Sequence, residues 1–162
     1  EALCIAYKQH SNVSIRIARI FNTYGPFMDP EDGRVVSNFC VQALRNQPLT
    51  IYGNGSQTRS FCYIDDLIIA LISLMESGIE EPVNLGNPEE FTILDLAEKV
   101  IEITKSEAGY ILNELPIDDP QRRCPDISLA KQNLGWKPST ELNQGLLPTI
   151  DWFKEKLNDG KI

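Results

Sequence analysis

Two spacings of apolar residues run through this chain of 162 residues. Recurrence at every third or fourth position marks a helix and alternation with polar residues marks a strand, because a helical turn takes about 3.6 residues and strand side chains point alternately to opposite faces. From Ile64 the apolar residues Leu67, Ile68, Leu71, Ile72 and Met75 follow the helical spacing, and Gly78 suits the left-handed position after the helix end. Leu96, Ala97, Val100 and Ile101 predict a second helix, opened by Thr92 and Asp95 at the spacing of a capping box. Further helices are predicted at residues 1–10, at Val35 to Asn46 around Phe39, Ala43 and Leu44, from a cap at Asp126 to Gly135, and through Leu146, Ile150, Phe153 and Leu157. Val13, Ile15 and Ile17 alternate into a strand, and strands are also expected at LTIYG (49–53), SFCYI (60–64), 82–87 and 110–115. Residues 22–34, rich in Pro, Gly and Asp, read as a loop. Strands and helices taking turns, with no repeats, predict an α/β chain.

Composition narrows the function classes. Hydrophobic residues make up 42% and charged ones 23%, which fits a soluble globular chain. Apolar runs fall short of the roughly 18 residues of a membrane span. Fifteen basic against 23 acidic side chains give a net charge of −8, so broad nucleic-acid binding is not expected and any anion must be held by a few aimed groups. Cys4, Cys40, Cys62 and Cys124 lie far apart and suggest free thiols; no metal site is expected. His10, the only histidine, reads as a surface residue at a helix end. Asp29, Glu31 and Asp32 lack the spacing of a calcium loop and read as a solvated acidic loop.

The common catalytic motifs are not in the sequence. Gly53 and Gly55 are followed by Thr58 where a dinucleotide fingerprint needs a third glycine, and none of the five tyrosines is followed four residues on by lysine. There is no Gly-x-Ser-x-Gly elbow, His-Glu-x-x-His or phosphate-binding P-loop. Asp65 and Asp66 read as carboxylates capping the helix they open, and Glu89 and Glu90 as solvated acids before the Thr92 cap.

The stretches RIARIFNTYGP, DGRVVSNFCVQAL, LTIYGNGSQTRSFCYIDDL, PVNLGNPEEFTILDLA and DDPQRRCPDISLAKQNLGW, in this order, resemble the C-terminal half of the extended short-chain dehydrogenase/reductases that act on nucleotide sugars, most of all their UDP-glucuronate decarboxylase (UDP-xylose synthase) branch. The resemblance covers nearly the whole chain, and GRVVSNF, YGNGSQTRSF and the Arg-x-Pro-Asp at 123–126 are its more specific parts. It implies the tail of a Rossmann domain at residues 1–24, followed at 25–162 by the smaller mixed α/β substrate-binding domain with late Rossmann elements. The family's glycine-rich cofactor loop and Tyr-x-x-x-Lys pair lie upstream of the matching segment, so a catalytically inactive piece of a longer chain is expected, with no catalytic residue of its own. A helix starting without a cap favours that reading over a natural short form.

By the same resemblance, NAD is the cofactor and is bound mainly by the other half, a UDP-sugar is the ligand, and the intact protein is a homodimer. The location implied is cytoplasmic for a bacterial protein, and Golgi or ER lumen for an animal or plant enzyme with an upstream anchor. Asn22, Val36, Ser37, Asn38, Tyr52, Gly53, Arg59 and Arg123 match family positions around the substrate. Thr23 and Arg34 match positions near the cofactor. Arg59 and Arg123 fall at the diphosphate, and paired guanidinium groups would let an acidic protein hold that charge. The plainer alternatives are an Asx turn at Asn22, a turn residue at Arg34, a helix cap at Ser37 or Asn38, and pairing of Arg59 with Asp65 or Asp66 and of Arg123 with Asp119 or Asp126. A 4-epimerase or 4,6-dehydratase of the same group, or a binding module without catalysis, are the competing functions.

Overall fold

The computed structural model describes residues 1–11, 13–115 and 122–160. The helices are α1 (Ala2–His10), α2 (Val35–Leu44), α3 (Ile64–Glu76), α4 (Ile93–Thr104), α5 (Ser128–Leu134) and α6 (Leu142–Asn158). The strands are β1 (Ala18–Ile20), β2 (Thr23–Tyr24), β3 (Leu49–Tyr52), β4 (Thr58–Ser60), β5 (Cys62–Tyr63), β6 (Val83–Leu85), β7 (Glu90–Thr92), β8 (Tyr110–Asn113) and β9 (Arg122–Arg123). The expected alternation of α and β is present.

Local chemistry explains most of the boundaries. Asp95 N–H donates to Thr92 Oγ1 at 2.9 Å and Thr92 N–H to Asp95 Oδ2 at 3.0 Å, so the capping box opens α4 as the spacing predicts. Gly135 takes φ +62° at the end of α5, and Asp126 accepts from Ser128 N–H at 2.8 Å at its start. Four boundary expectations need correction. The strand expected through Val13, Ile15 and Ile17 forms only beyond them, at Ala18–Ile20. Helix α3 ends on an extended Ser77, so Gly78 does not serve as a left-handed cap. Helix α2 starts at Val35 with Arg34 as its N-cap, which puts Ser37 and Asn38 inside the first turns. The loop at 22–34 begins with a two-residue strand, β2.

The strands form small pairings: β1 with β6, β2 with β5 and β3 with β8, all parallel. The fourth sheet has the order β7-β4-β9, with β7 antiparallel and β9 parallel to β4. Two apolar clusters fill the interior. One joins Tyr24, α2, β3, Phe61, α4 and α6. The other joins Cys62, Leu67, Ala70 and Leu74 of α3 with β6, Ile127, Ala130 and Trp136. Burial within these clusters pushes the Cys40 and Cys62 thiols up to about 12.

Asp66 joins the elements around these clusters, and this replaces the capping role expected of it. The N-cap of α3 is Tyr63, with no side-chain cap bond. Asp66 instead accepts from Thr140 N–H at 2.8 Å, Ser139 N–H at 3.1 Å and Ser139 Oγ at 2.9 Å, on the linker between α5 and α6. Trp136 Nε1 donates to its carbonyl at 2.9 Å. Burial alone would raise the carboxyl pKa, but the donors from Thr140 and Ser139 outweigh it and hold the group below its ordinary value.

Helix α3 is apolar on more than its core side. Leu67, Ala70 and Leu74 are buried, whereas Ile68, Ile69, Ile72 and Met75 are exposed. Helix α1 buries nothing and exposes Leu3, Ile5 and Tyr7. The simple amphipathic expectation for Ile68, Ile72 and Met75 therefore fails in this chain.

Candidate ligand site

The first turn of α2, the end of β3 and the β4–β9 pair enclose a cavity of about 350 Å³. Arg34, Val36 and Asn38 come from the α2 end, Thr50 and Tyr52 from β3, Gln57 and Arg59 from the turn and strand after it, and Arg123 from β9. Asn22 and Thr23 close one side, and Phe39, Phe61 and Ile93 are also in the lining. Three arginines line this cavity and no acidic side chain does, among the described residues, in a chain whose net charge is −8.

Each wall has a local cause. The glycine turn after β3 returns the chain as β4, with Gly53 at φ +68° and Gly55 at +75°, values that glycine adopts without strain. Gln57 is buried and donates from Nε2 to Tyr52 O at 2.8 Å, which braces the turn. In the parallel β4–β9 register Arg59 lies beside Arg123, so both fall on the same face of the sheet. Arg59 is 7% exposed and donates from a terminal nitrogen to Thr58 O at 2.8 Å. Among the described residues Arg123 has no ion pair; Asp119 lies outside them.

Helix α2 faces the cavity with its N-terminal end. The backbone N–H groups of its first turn have no acceptors within the helix, and no side chain caps them. Such an end carries a partial positive charge and suits an anion. Asn38 Nδ2 donates to Gly33 O at 3.2 Å, and Arg34 pairs with Asp32 at 3.5 Å. Asp29 accepts from Glu31 N–H at 2.9 Å within the loop, whereas Asp32 accepts from Arg34 N–H at 2.9 Å and from the Ser37 hydroxyl at the start of α2.

A larger, more open hollow of about 1340 Å³ lies beside the first, and Asn22, Thr23, Met28, Arg34 and Arg123 line both. Ile20, Phe21, Ile64, Leu67 and Ile68 give the hollow its apolar side. Thr23 donates from Oγ1 to Phe21 O at 2.9 Å, which leaves its oxygen as an acceptor.

Of the residues singled out in the sequence, Asn22, Thr23, Arg34, Val36, Asn38, Tyr52, Arg59 and Arg123 are brought together around the smaller cavity. Ser37 and Gly53 are not in its lining. Ser37 is fully buried, and its single hydroxyl proton has the Asp32 carboxylate and, at 2.9 Å, Arg34 O as its acceptors within reach. Gly53 donates its N–H to Asn113 O at 2.8 Å, and a Cβ there would sit 3.3 Å from Leu115. Gln57, Thr50 and Phe61 were not singled out; a polar residue between two turn glycines and an arginine was the available signal for Gln57.

Known proteins share this architecture. UDP-glucuronic acid decarboxylase 1 of Danio rerio is 51% identical over 157 residues, covering 97% of this chain and 38% of that protein. The structure of UDP-glucuronic acid 4-epimerase from Bacillus cereus with UDP-glucuronic acid and NAD matches at a TM-score of 0.86 and 32% identity, over 95% of this chain and 49% of that one. The UDP-glucose 4-epimerase of Thermotoga maritima with UDP-glucose matches at 0.91 and 29%, over 96% and 51%. The chain thus spans about half or less of the proteins it matches. The family model for NAD dependent epimerase/dehydratase proteins matches residues 1–86, more than half of the sequence, and the chain belongs to that family.

Proposed function

We propose that this chain is the UDP-sugar-holding part of an NAD-dependent UDP-glucuronate decarboxylase that forms UDP-xylose. The observation that carries the reading is the cavity lined by Arg34, Arg59 and Arg123, free of acidic side chains among the described residues, against the uncapped end of α2. Two guanidinium groups and a helix end can neutralise a diphosphate on an otherwise acidic surface. Tyr52, half exposed beside that charge, offers a ring for the base. The 51% identity to a decarboxylase supports this branch over an epimerase, whose solved structures match at 29 and 32%.

The residues of the larger hollow also fit one side of a nicotinamide: an apolar surface from Ile20 and Phe21, a Thr23 acceptor and the Arg34 charge. When bound, NAD would accept a hydride from the sugar's C4, so that the carboxylate can leave as carbon dioxide from the 4-keto sugar, and would then give the hydride back. Asn22, Arg59 and Arg123 hold the ligand in place and Tyr52 frames its base; this chain contributes position. A homodimer belongs to the same reading, supported by the exposed Leu3, Ile5 and Tyr7 of α1.

Calorimetric titration tests it. UDP binds the chain, and Arg59→Lys or Arg123→Lys weakens binding by about 1.5–3 kcal/mol, the scale of a hydrogen bond to a charged group. The chain alone turns over no UDP-glucuronate with added NAD, because it has no Tyr-x-x-x-Lys pair. Undetectable UDP binding, or unchanged affinity in both variants, rejects the proposal. In the full-length protein, UDP-xylose with release of carbon dioxide identifies a decarboxylase and UDP-galacturonate a 4-epimerase.

A further inference from the structure

We infer that Glu90 is a positioning residue that sets Arg123 for the ligand, a role that rests on the diphosphate reading above and extends it to a residue outside the cavity. Strand β9 has only two residues, so its backbone pairing with β4 is a weak hold. The register places Thr58 beside Arg122 and Arg59 beside Arg123, and alternation along each strand sends the first pair to one face of the sheet and the second to the other. Glu90, paired with Ser60 on the far side of β4, belongs to the face of Thr58 and Arg122.

On that face Glu90 ties the three strands together. Its Oε1 accepts from Thr58 Oγ1 at 2.7 Å and from Arg122 Nε at 2.9 Å, and its Oε2 accepts from the Arg122 terminal nitrogen at 2.5 Å. The two-pronged pair fixes the Arg122 guanidinium in plane and direction, which a single contact does not. Arg122 is 70% exposed but Glu90 only 22%, so the clamp is anchored on the sheet. Ser60 Oγ adds a bond to Arg123 O at 3.3 Å. Arg122 and Glu90 thus lock the backbone of β9 from the outer face, and the neighbouring residue, Arg123, is delivered to the cavity. Glu90 also takes up the charge of one of two adjacent arginines, so Arg122 does not compete with Arg123 for the ligand. The expectation that Glu90 is merely a solvated acid is corrected by this geometry.

The test compares UDP with uridine on this chain, since uridine lacks the phosphates that Arg123 would meet. UDP is titrated by calorimetry and uridine by NMR into the native sequence and into Glu90→Gln, Arg122→Met and Arg122→Lys. Gln keeps the Thr58 bond but loses the ion pair. In Glu90→Gln and Arg122→Met, UDP affinity falls roughly tenfold while uridine affinity and Tm stay close to native, the scale of one misaligned charge-assisted bond. Arg122→Lys, which keeps the charge but not the two-pronged geometry, falls between native and Arg122→Met in UDP affinity. An unchanged ratio of UDP to uridine affinity in Glu90→Gln, or equal loss of both ligands, overturns the role of Glu90. A native chain that does not prefer UDP to uridine overturns the diphosphate reading itself, and this inference with it.

Discussion

Asp66 is the side chain whose removal the structure prices most directly. It is 4% exposed and accepts two backbone N–H groups, of Ser139 and Thr140, and the Ser139 hydroxyl. Asp66→Asn keeps an oxygen for the backbone donors and presents an amide to the hydroxyl, which can turn to accept. Only the charge is lost, a difference of about 1–2 kcal/mol between charged and neutral hydrogen bonds. Asp66→Ala leaves two backbone donors without an acceptor at about 1–3 kcal/mol each, so about 3–5 kcal/mol is expected. The pH dependence has a definite sign. The folded carboxyl pKa lies below the unfolded value, so the ionised form's contribution is present above the unfolded value of about 3.9 and is lost as pH falls through the folded pKa. Guanidinium unfolding followed by tryptophan fluorescence, at pH 7 and pH 3, measures both effects. The native advantage over Asp66→Asn shrinks at pH 3. A gap that is equal or larger at pH 3, or an Asp66→Ala cost no greater than that of the exposed Asp65→Ala, refutes the argument.

Gly145→Ala places a Cβ 2.2 Å from Tyr24 Oη and 2.7 Å from Tyr63, with the Tyr24–Leu142 bond at stake, and lowers unfolding free energy by about 1–3 kcal/mol; a neutral result in chemical denaturation shows that α6 shifts freely. The exposed Leu3, Ile5 and Tyr7 of α1, Ile20 of β1, and Ile68, Ile69, Ile72 and Met75 of α3 make the chain self-associate, with segment 1–21 exchanging between copies; a concentration-independent monomer in sedimentation, with that segment protected in hydrogen exchange, counts against this. Cys4 reacts with a thiol reagent at once under native conditions, whereas Cys40 and Cys62, buried with thiol pKa values pushed up to about 12, react only on unfolding; early labelling of either buried thiol rejects their packing.

Helices with a chemical start or stop were legible in the sequence. Thr92 and Asp95 satisfy each other's backbone donors within three residues, and Gly135 tolerates the left-handed turn that ends α5, so neither needed tertiary context. The site residues were reached through resemblance, and eight of them do line one cavity, because the motif stretches lie at the ends of α2, β3, β4 and β9 where the chain folds back on itself. What only the tertiary structure decided was which partner each polar group met. Strands of two or three residues, β2, β7 and β9, carry no periodicity of their own and exist through pairing with strands distant in sequence. Asp66 and Asp65 are equally placed to cap α3 by sequence, yet folding brings the Ser139–Thr140 linker to Asp66 alone. Glu90 beside Glu89 gives no sign that Arg122 will pair with it, since that contact spans 32 residues and is fixed by sheet register. The sequence by itself determined the local devices, because their donors and acceptors lie within a turn of one another; the long-range ones had to wait for the fold to bring their partners together.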